Sequence, residues 1–152
     1  MKKRVLFSLL LVAVSLSAIA QRSEKRFINP DGLSKPTGYT HVVLSGGTVY
    51  VSGQVSLNDK GEVVGKGDMR AQTIRVFENL RLCLKATGLD FSDVIKLNYY
   101  VVNLKPDDLA VIREVRKSYL PSENPPASTL VSVAGLVNPD LMLEVEVVAR
   151  LR

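Results

Sequence analysis

Residues 124–146 read NPPASTLVSVAGLVNPDLMLEVE, and this stretch decides the fold. Pro125 and Pro126 disfavour continued helix. Ala127 to Leu136 then runs as a strand, Asn138-Pro139-Asp140 makes a turn, and Leu141 to Leu151 runs back as a second strand. Side chains alternate along a strand. Leu141, Leu143, Val145 and Val147 therefore share one face, and Met142, Glu144, Glu146 and Val148 share the other. Two carboxylates on a face that also carries Met and Val are either a solvated edge or a site.

Working outward, Asp93 to Asn103 reads as a strand, with Ile95, Leu97, Tyr99 and Val101 on one side and Val94, Lys96, Asn98, Tyr100 and Val102 on the other. Pro106 opens a helix near N1, with Asp107 and Asp108 favourable in its first turn and Leu109, Ile112, Val115 and Leu120 as its apolar stripe. Further upstream, Met69, Thr73, Val76, Phe77, Leu80, Cys83 and Leu84 recur at helical spacing, capped by Asp68 and stopped by Gly88. Thr40 to Ser45 and Val49 to Gly53 are short strands around the Ser45-Gly46-Gly47-Thr48 hairpin signal. Arg26 to Ser34 adds a short edge strand ending at Asn29-Pro30.

The order is β-β-α-β-α-β-β, an α/β (α+β) class with a mixed sheet and two helices on one face. Tyr100, Val102, Leu130, Ala134, Met142 and Val148 are then expected on the uncovered face. An apolar face of that extent marks an interface, and self-association is the economical cover.

The chain has 152 residues, 46% of them hydrophobic, which suits one domain with a core. Residues 1–20 read as a secretory leader: Lys2, Lys3 and Arg4, an apolar run from Val5 to Ser17, then Ala18-Ile19-Ala20 before Gln21. The apolar run is short for a bilayer span of roughly twenty residues, so no membrane span is expected in the mature chain. Gln21 to Lys25 reads as a tether, and residues 26–152 as the folded domain. Without the leader, 17 basic residues face 15 acidic ones, a net charge of +2. That balance, with no basic-aromatic stripe, argues against a nucleic-acid partner. The expected location is periplasmic or secreted.

Cys83 is the single cysteine and His41 the single histidine. Cys83 lies on the apolar stripe and reads as a buried thiol. No metal-ligand spacing is present, so no metal is expected.

Five segments together resemble the RidA/YjgF family: Asn29-Pro30 with Pro36 to Tyr39, VYVSGQ at 49–54, Ala86-Thr87-Gly88, Asp93 to Leu104, and Pro125 through Val131 with LEVEV at 143–147. The resemblance implies a chorismate-mutase-like fold and a homotrimer with clefts between subunits. It also implies hydrolysis of small 2-imino or enamine acids without metal or cofactor. Carried over by position, Glu144 is the water-positioning glutamate, Tyr39 the pocket tyrosine, and Ser52-Gly53 the Ser-Gly pair. The family's carboxylate-binding arginine falls on Ser128, so this chain is similar to branches lacking it. A serine hydroxyl does not replace a two-pronged guanidinium.

Glu144 is thus a candidate catalytic base, or a structural ion-pair partner of a neighbouring chain. Glu146 is a secondary candidate or an interface ion-pair member. Tyr39 walls a pocket or simply packs, and Ser52-Gly53 marks a bulge or a site. Ser128 and Thr129, with Leu130 beside them, line a ligand site or are ordinary strand residues. The functional alternatives are an imine deaminase and a non-catalytic small-ligand-binding or interaction trimer of the cell envelope.

Overall fold

A computed structural model describes residues 24–152. The leader and the start of the tether lie outside the described residues. Six strands and two helices follow in the order β1 (Arg26–Ile28), β2 (Val42–Ser45), β3 (Thr48–Val55), α1 (Met69–Lys85), β4 (Val94–Val102), α2 (Pro106–Arg116), β5 (Ala127–Val133) and β6 (Leu143–Arg150). A single 3-10 turn, Phe91–Asp93, leads into β4.

The strands form one mixed sheet in the order β1-β2-β3-β6-β4-β5. β6 runs antiparallel to both β3 and β4, and β5 runs parallel to β4. The chain therefore makes two successive β-α-β crossovers, β3-α1-β4 and β4-α2-β5, and the last strand slots into the gap left by the first. Parallel neighbours require such long connections, which the two helices supply.

This corrects the hairpin reading of residues 124–146. β5 and β6 do not pair; β4 lies between them. The reason is burial. Leu143, Val145, Val147 and Ala149 are almost wholly inaccessible, and a strand so apolar on one face belongs at the centre of the sheet. β5 is largely exposed and takes the edge.

The core lies between the sheet and α1. Val76, Phe77, Leu80, Cys83 and Leu84 pack onto Val42, Val49, Leu97, Tyr99, Leu143 and Val145. Burying each such aliphatic side chain stabilises by about 1.5–3 kcal/mol. Asp68 caps α1 by accepting from the Ala71 amide at 3.0 Å. Buried Gln72 ties α1 to the entry of β6: it donates to the Asp140 carbonyl at 2.7 Å and accepts from the Met142 amide at 2.8 Å. Cys83 is buried, and desolvation pushes its thiol up to about 12. It is a packing residue.

Two bulges correct the strict alternation expected of the strands. Pairing of β4 with β6 slips between Val94 and Lys96. Val94 consequently occupies the core side, and Ile95, expected inside, is half exposed. Pairing of β3 with β6 slips between Val51 and Gln54, so Ser52 and Gly53 together oppose Glu146. That second bulge shapes the candidate site.

Candidate functional site

The uncovered face of the sheet carries Glu144 and Glu146 on β6, Asn98 and Tyr100 on β4, and Thr129 and Val131 on β5. The register fixes this. Val55, Glu144, Tyr100 and Val131 form one cross-strand row, and the Ser52-Gly53 bulge, Glu146, Asn98 and Thr129 form the next. Cross-strand partners share a face.

Glu144 is half buried. Its carboxylate lies directly over Gly53: a Cβ built there would fall 1.7 Å from Glu144 Oε1. Only glycine leaves that space. Burial, reinforced by the charge of Glu146, raises the pKa of Glu144 above the ordinary carboxylate value. Among the described residues no hydrogen bond holds the Glu144 carboxylate. Glu146 is held instead, accepting from Asn98 Nδ2 at 2.7 Å and from the Tyr100 hydroxyl at 3.1 Å. One carboxylate is thus fixed by donors and the other left to act on what enters.

The bulge itself is anchored. The Ser52 hydroxyl donates to the Thr40 carbonyl at 2.7 Å, and the Ser52 amide donates to the His41 carbonyl at 3.0 Å. Behind it, buried His41 sits 2.9 Å from the Ser34 carbonyl through Nε2 and 3.2 Å from Gln54 Nε2 through Nδ1. An N–H on Nε2 and a lone pair on Nδ1 satisfy both contacts. The Tyr39 ring stands edge-on to His41 at 5.2 Å. Burial raises the pKa of the Tyr39 hydroxyl, and the negative charge of Glu144 adds to that rise. Tyr39, Ser52, Gly53, Glu144 and Glu146 are therefore neighbours, brought together from β6, the β3 bulge and the loop before β2.

Ser128 and Leu130 are not part of this group. Ser128 pairs with Leu97 and Leu130 with Tyr99, both buried on the helix side. Leu130 packs against the core, which corrects its expected place on the open face. Ala134 lies beyond the end of β5, so it is not a member of that face either. The parallel register on β4 sets β5's facing, and a hairpin reading could not supply it. Thr129 does face the open side, where its hydroxyl accepts from Lys96 Nζ at 2.7 Å. Among the described residues, no group of three or more His, Cys, Asp or Glu could hold a metal ion, and no helix is long and apolar enough to cross a membrane.

Sequence reasoning placed Asn98 and Tyr100 on this face without giving them a role, and passed over Gln54. Their signal is positional: polar groups opposite a bulged or carboxylate-bearing position.

The family model described as Endoribonuclease L-PSP matches residues 32–151. The chain belongs to the Endoribonuclease L-PSP, or RidA/YjgF, family. A RutC family protein of Pyrococcus horikoshii is 35% identical over 127 residues, covering 82% of this chain and 97% of the relative. A protein of Dermatophagoides farinae named 2-iminobutanoate/2-iminopropanoate deaminase is 35% identical over 115 residues, covering 75% of this chain and 88% of the relative. The crystal structure of RidA from an Antarctic Psychrobacter is 31% identical with a TM-score of 0.74, covering 83% of this chain and 99% of that one. The α+β fold described above is the fold of these family structures.

Proposed function

We propose that this chain is a cofactor-independent hydrolytic deaminase of small imines or enamines, working as a homotrimer whose clefts lie between subunits. One observation carries the reading: the half-buried, elevated-pKa carboxylate of Glu144, laid over a glycine bulge beside Tyr39. The mite relative's name supports the substrate class. The exposed apolar side chains Tyr50, Ile95 and Val131 support self-association.

Imines are already electrophilic, so the site has a modest task. Glu144 takes a proton from a water molecule as its oxygen bonds to the imine carbon. The C=N electron pair moves to nitrogen, which takes that proton from Glu144. The carbinolamine then collapses: its hydroxyl proton passes through Glu144 to the nitrogen, the C–N bond breaks, and ammonia leaves behind a carbonyl product. A carboxylate with a raised pKa is the stronger base for the first step. After burial, the charge of Glu146, which Asn98 and Tyr100 hold in place, helps hold that pKa up.

The substrate is expected to differ from an ordinary 2-imino acid, because Ser128 stands where the family resemblance expects a carboxylate-binding arginine. The same substitution favours a second reading, a non-catalytic small-ligand-binding or interaction trimer of the cell envelope. The leader's composition, with its basic start and short apolar run, supports a periplasmic or secreted location under either reading.

Ammonia release from a panel of enzymatically generated imines separates the two. Turnover by the wild type that Glu144→Ala abolishes supports the deaminase. Identical rates for both proteins with every imine would leave the binding trimer. Sedimentation at micromolar concentration tests the assembly, with a three-chain mass expected and a single-chain mass contrary to it.

A further inference from the structure

Two polar side chains, His41 and Gln54, lie beneath the Ser52-Gly53 bulge on the side of α1, each only 3% exposed. Burying such groups costs free energy unless their polar atoms are paired. Here the pairing runs in one direction. The Ser34 carbonyl can only accept, so the ring hydrogen of His41 belongs on Nε2, 2.9 Å from it. Nδ1 then offers a lone pair, and the group facing it at 3.2 Å is the amide nitrogen of Gln54. That orientation aims the second amide hydrogen at the Ser52 carbonyl, 2.9 Å away, with the Gly53 carbonyl at 3.5 Å. A bulge interrupts the strand ladder, and side chains take over part of its backbone hydrogen bonding. His41 grips the bulge a second time, because its own carbonyl accepts from the Ser52 amide at 3.0 Å. Its amide donates to Asn29 Oδ1 at 3.0 Å, which ties it to the loop after β1. The cavity bounded by Tyr39, His41, Gly53, Gln54 and Asn79 is about 20 Å³, room for a single water. The bulge has little space to settle inward. On its other side one added methyl at Gly53 would collide with Glu144, so a displaced bulge displaces the carboxylate.

We propose that His41 and Gln54 are positioning residues: the Ser34-His41-Gln54 hydrogen-bond chain holds the Ser52-Gly53 bulge in place, and the bulge holds the Glu144 carboxylate half buried and turned toward the substrate. Both act through the bulge rather than on the substrate. The kinetic effect rests on the preceding reading of Glu144 as the base, whereas the effect on the carboxylate itself does not depend on turnover. The titratable groups that act on Glu144 are Glu146 on the same strand, Tyr39 before β2 and Tyr100 on β4. The variants that test the proposal leave all three in place.

His41→Asn keeps an acceptor where Nδ1 stood, and His41→Gln keeps a donor where Nε2 stood. Gln54→Met keeps the length of the side chain and removes its donors. In the full chain, carbon-detected NMR follows titration of the Glu144 carboxyl, and ammonia release from imines gives kcat and KM. Gln54→Met and His41→Gln are expected to lower kcat about tenfold or more, with KM within about threefold, the mark of a displaced catalytic group. Both should bring the Glu144 pKa down toward the ordinary carboxylate value as the carboxylate gains solvent. His41→Asn should keep the raised pKa and a kcat within about threefold of wild type. A residue that merely filled space would give the opposite order, because His41→Asn removes more volume than His41→Gln. An unchanged carboxyl titration and kcat in Gln54→Met, or His41→Asn no better than His41→Gln, overturns the proposal. A backbone NMR spectrum checks that each variant is folded, and the His41 pair decides should Gln54→Met not fold. The outcome is separable from that of the deaminase reading. A Glu144 titration that follows the predicted order in a chain that turns over no imine sinks only the enzyme, whereas imine turnover untouched by all three variants sinks only the positioning role.

Discussion

The two faces of strand β6 are built from alternate residues of one short sequence, and they obey different rules. Leu143, Val145, Val147 and Ala149 point to the helices and are sealed from water. Glu144, Glu146 and Val148 point the other way and remain partly open, whereas Met142, expected with them, lies just before β6 and packs against the core. On the sealed side, fit is everything and a missing methyl group is felt. On the open side, two carboxylates 2 residues apart are tolerated because one has donors and the other has solvent access. The site does not stabilise the fold; the sealed face stabilises a fold that carries the site.

The sharpest way to break this comparison is to neutralise Glu144. Glu144→Gln should reduce imine turnover by about 100- to 10,000-fold, the usual contribution of a positioned general base, while circular dichroism stays unchanged. Next in size is the contrast within the strand. Leu143→Ala should lower unfolding free energy by about 2–5 kcal/mol, whereas Val148→Ala, on the open face of the same strand, should cost about 1 kcal/mol or less. Urea denaturation of the pair measures both. If the two variants are equally destabilised, the faces are not distinct.

Gly53→Ala joins the two faces. The added methyl collides with the Glu144 carboxylate, which is the movable partner. Turnover should fall by about tenfold or more, the scale on which displaced catalytic groups act, with a smaller loss of stability than Leu143→Ala. A crystal structure of the variant should show the carboxylate swung away from the bulge.

The smallest effect is in pH. The folded-state pKa of Glu144 is raised, first by burial and then by Glu146. The native state therefore holds this proton more tightly than the unfolded chain does, and stability falls as pH rises from the ordinary value of 4.5 to the raised one. Glu144→Gln should consequently melt slightly higher than wild type at neutral pH, with the difference vanishing below the ordinary carboxylate range. In the rate profile, the rising limb should sit above that range, and Glu146→Gln should move it down by removing the like charge. A rising limb that Glu146→Gln leaves in place would show that the two carboxylates do not interact.

Much of this was legible from residues alone. The stripe Met69, Thr73, Val76, Phe77, Leu80, Cys83 and Leu84 is buried as its helical spacing requires. The alternation in Leu143 to Val148 separated a core face from a face bearing Glu144 and Glu146, and Ser52-Gly53 is the bulge that its glycine suggested. These are local properties, fixed by 3.6- and 2-residue periods and by the backbone freedom of glycine.

What sequence could not give was partnership. The turn at Asn138-Pro139-Asp140 looks like the tip of a hairpin, yet β4 lies between the strands it joins, because strand order is chosen by total burial and not by proximity along the chain. The facing of Ser128 and Leu130 depends on the β4 register, and the inversion of Val94 and Ile95 depends on one slipped residue. The sequence by itself determined the periodicities, the caps, the carboxylates and the glycine that makes room for one of them. Only the tertiary structure decided that Glu144 lies over Gly53 while Ser128 falls on the other side of the sheet, since register and strand order arise from long-range packing that no local window contains.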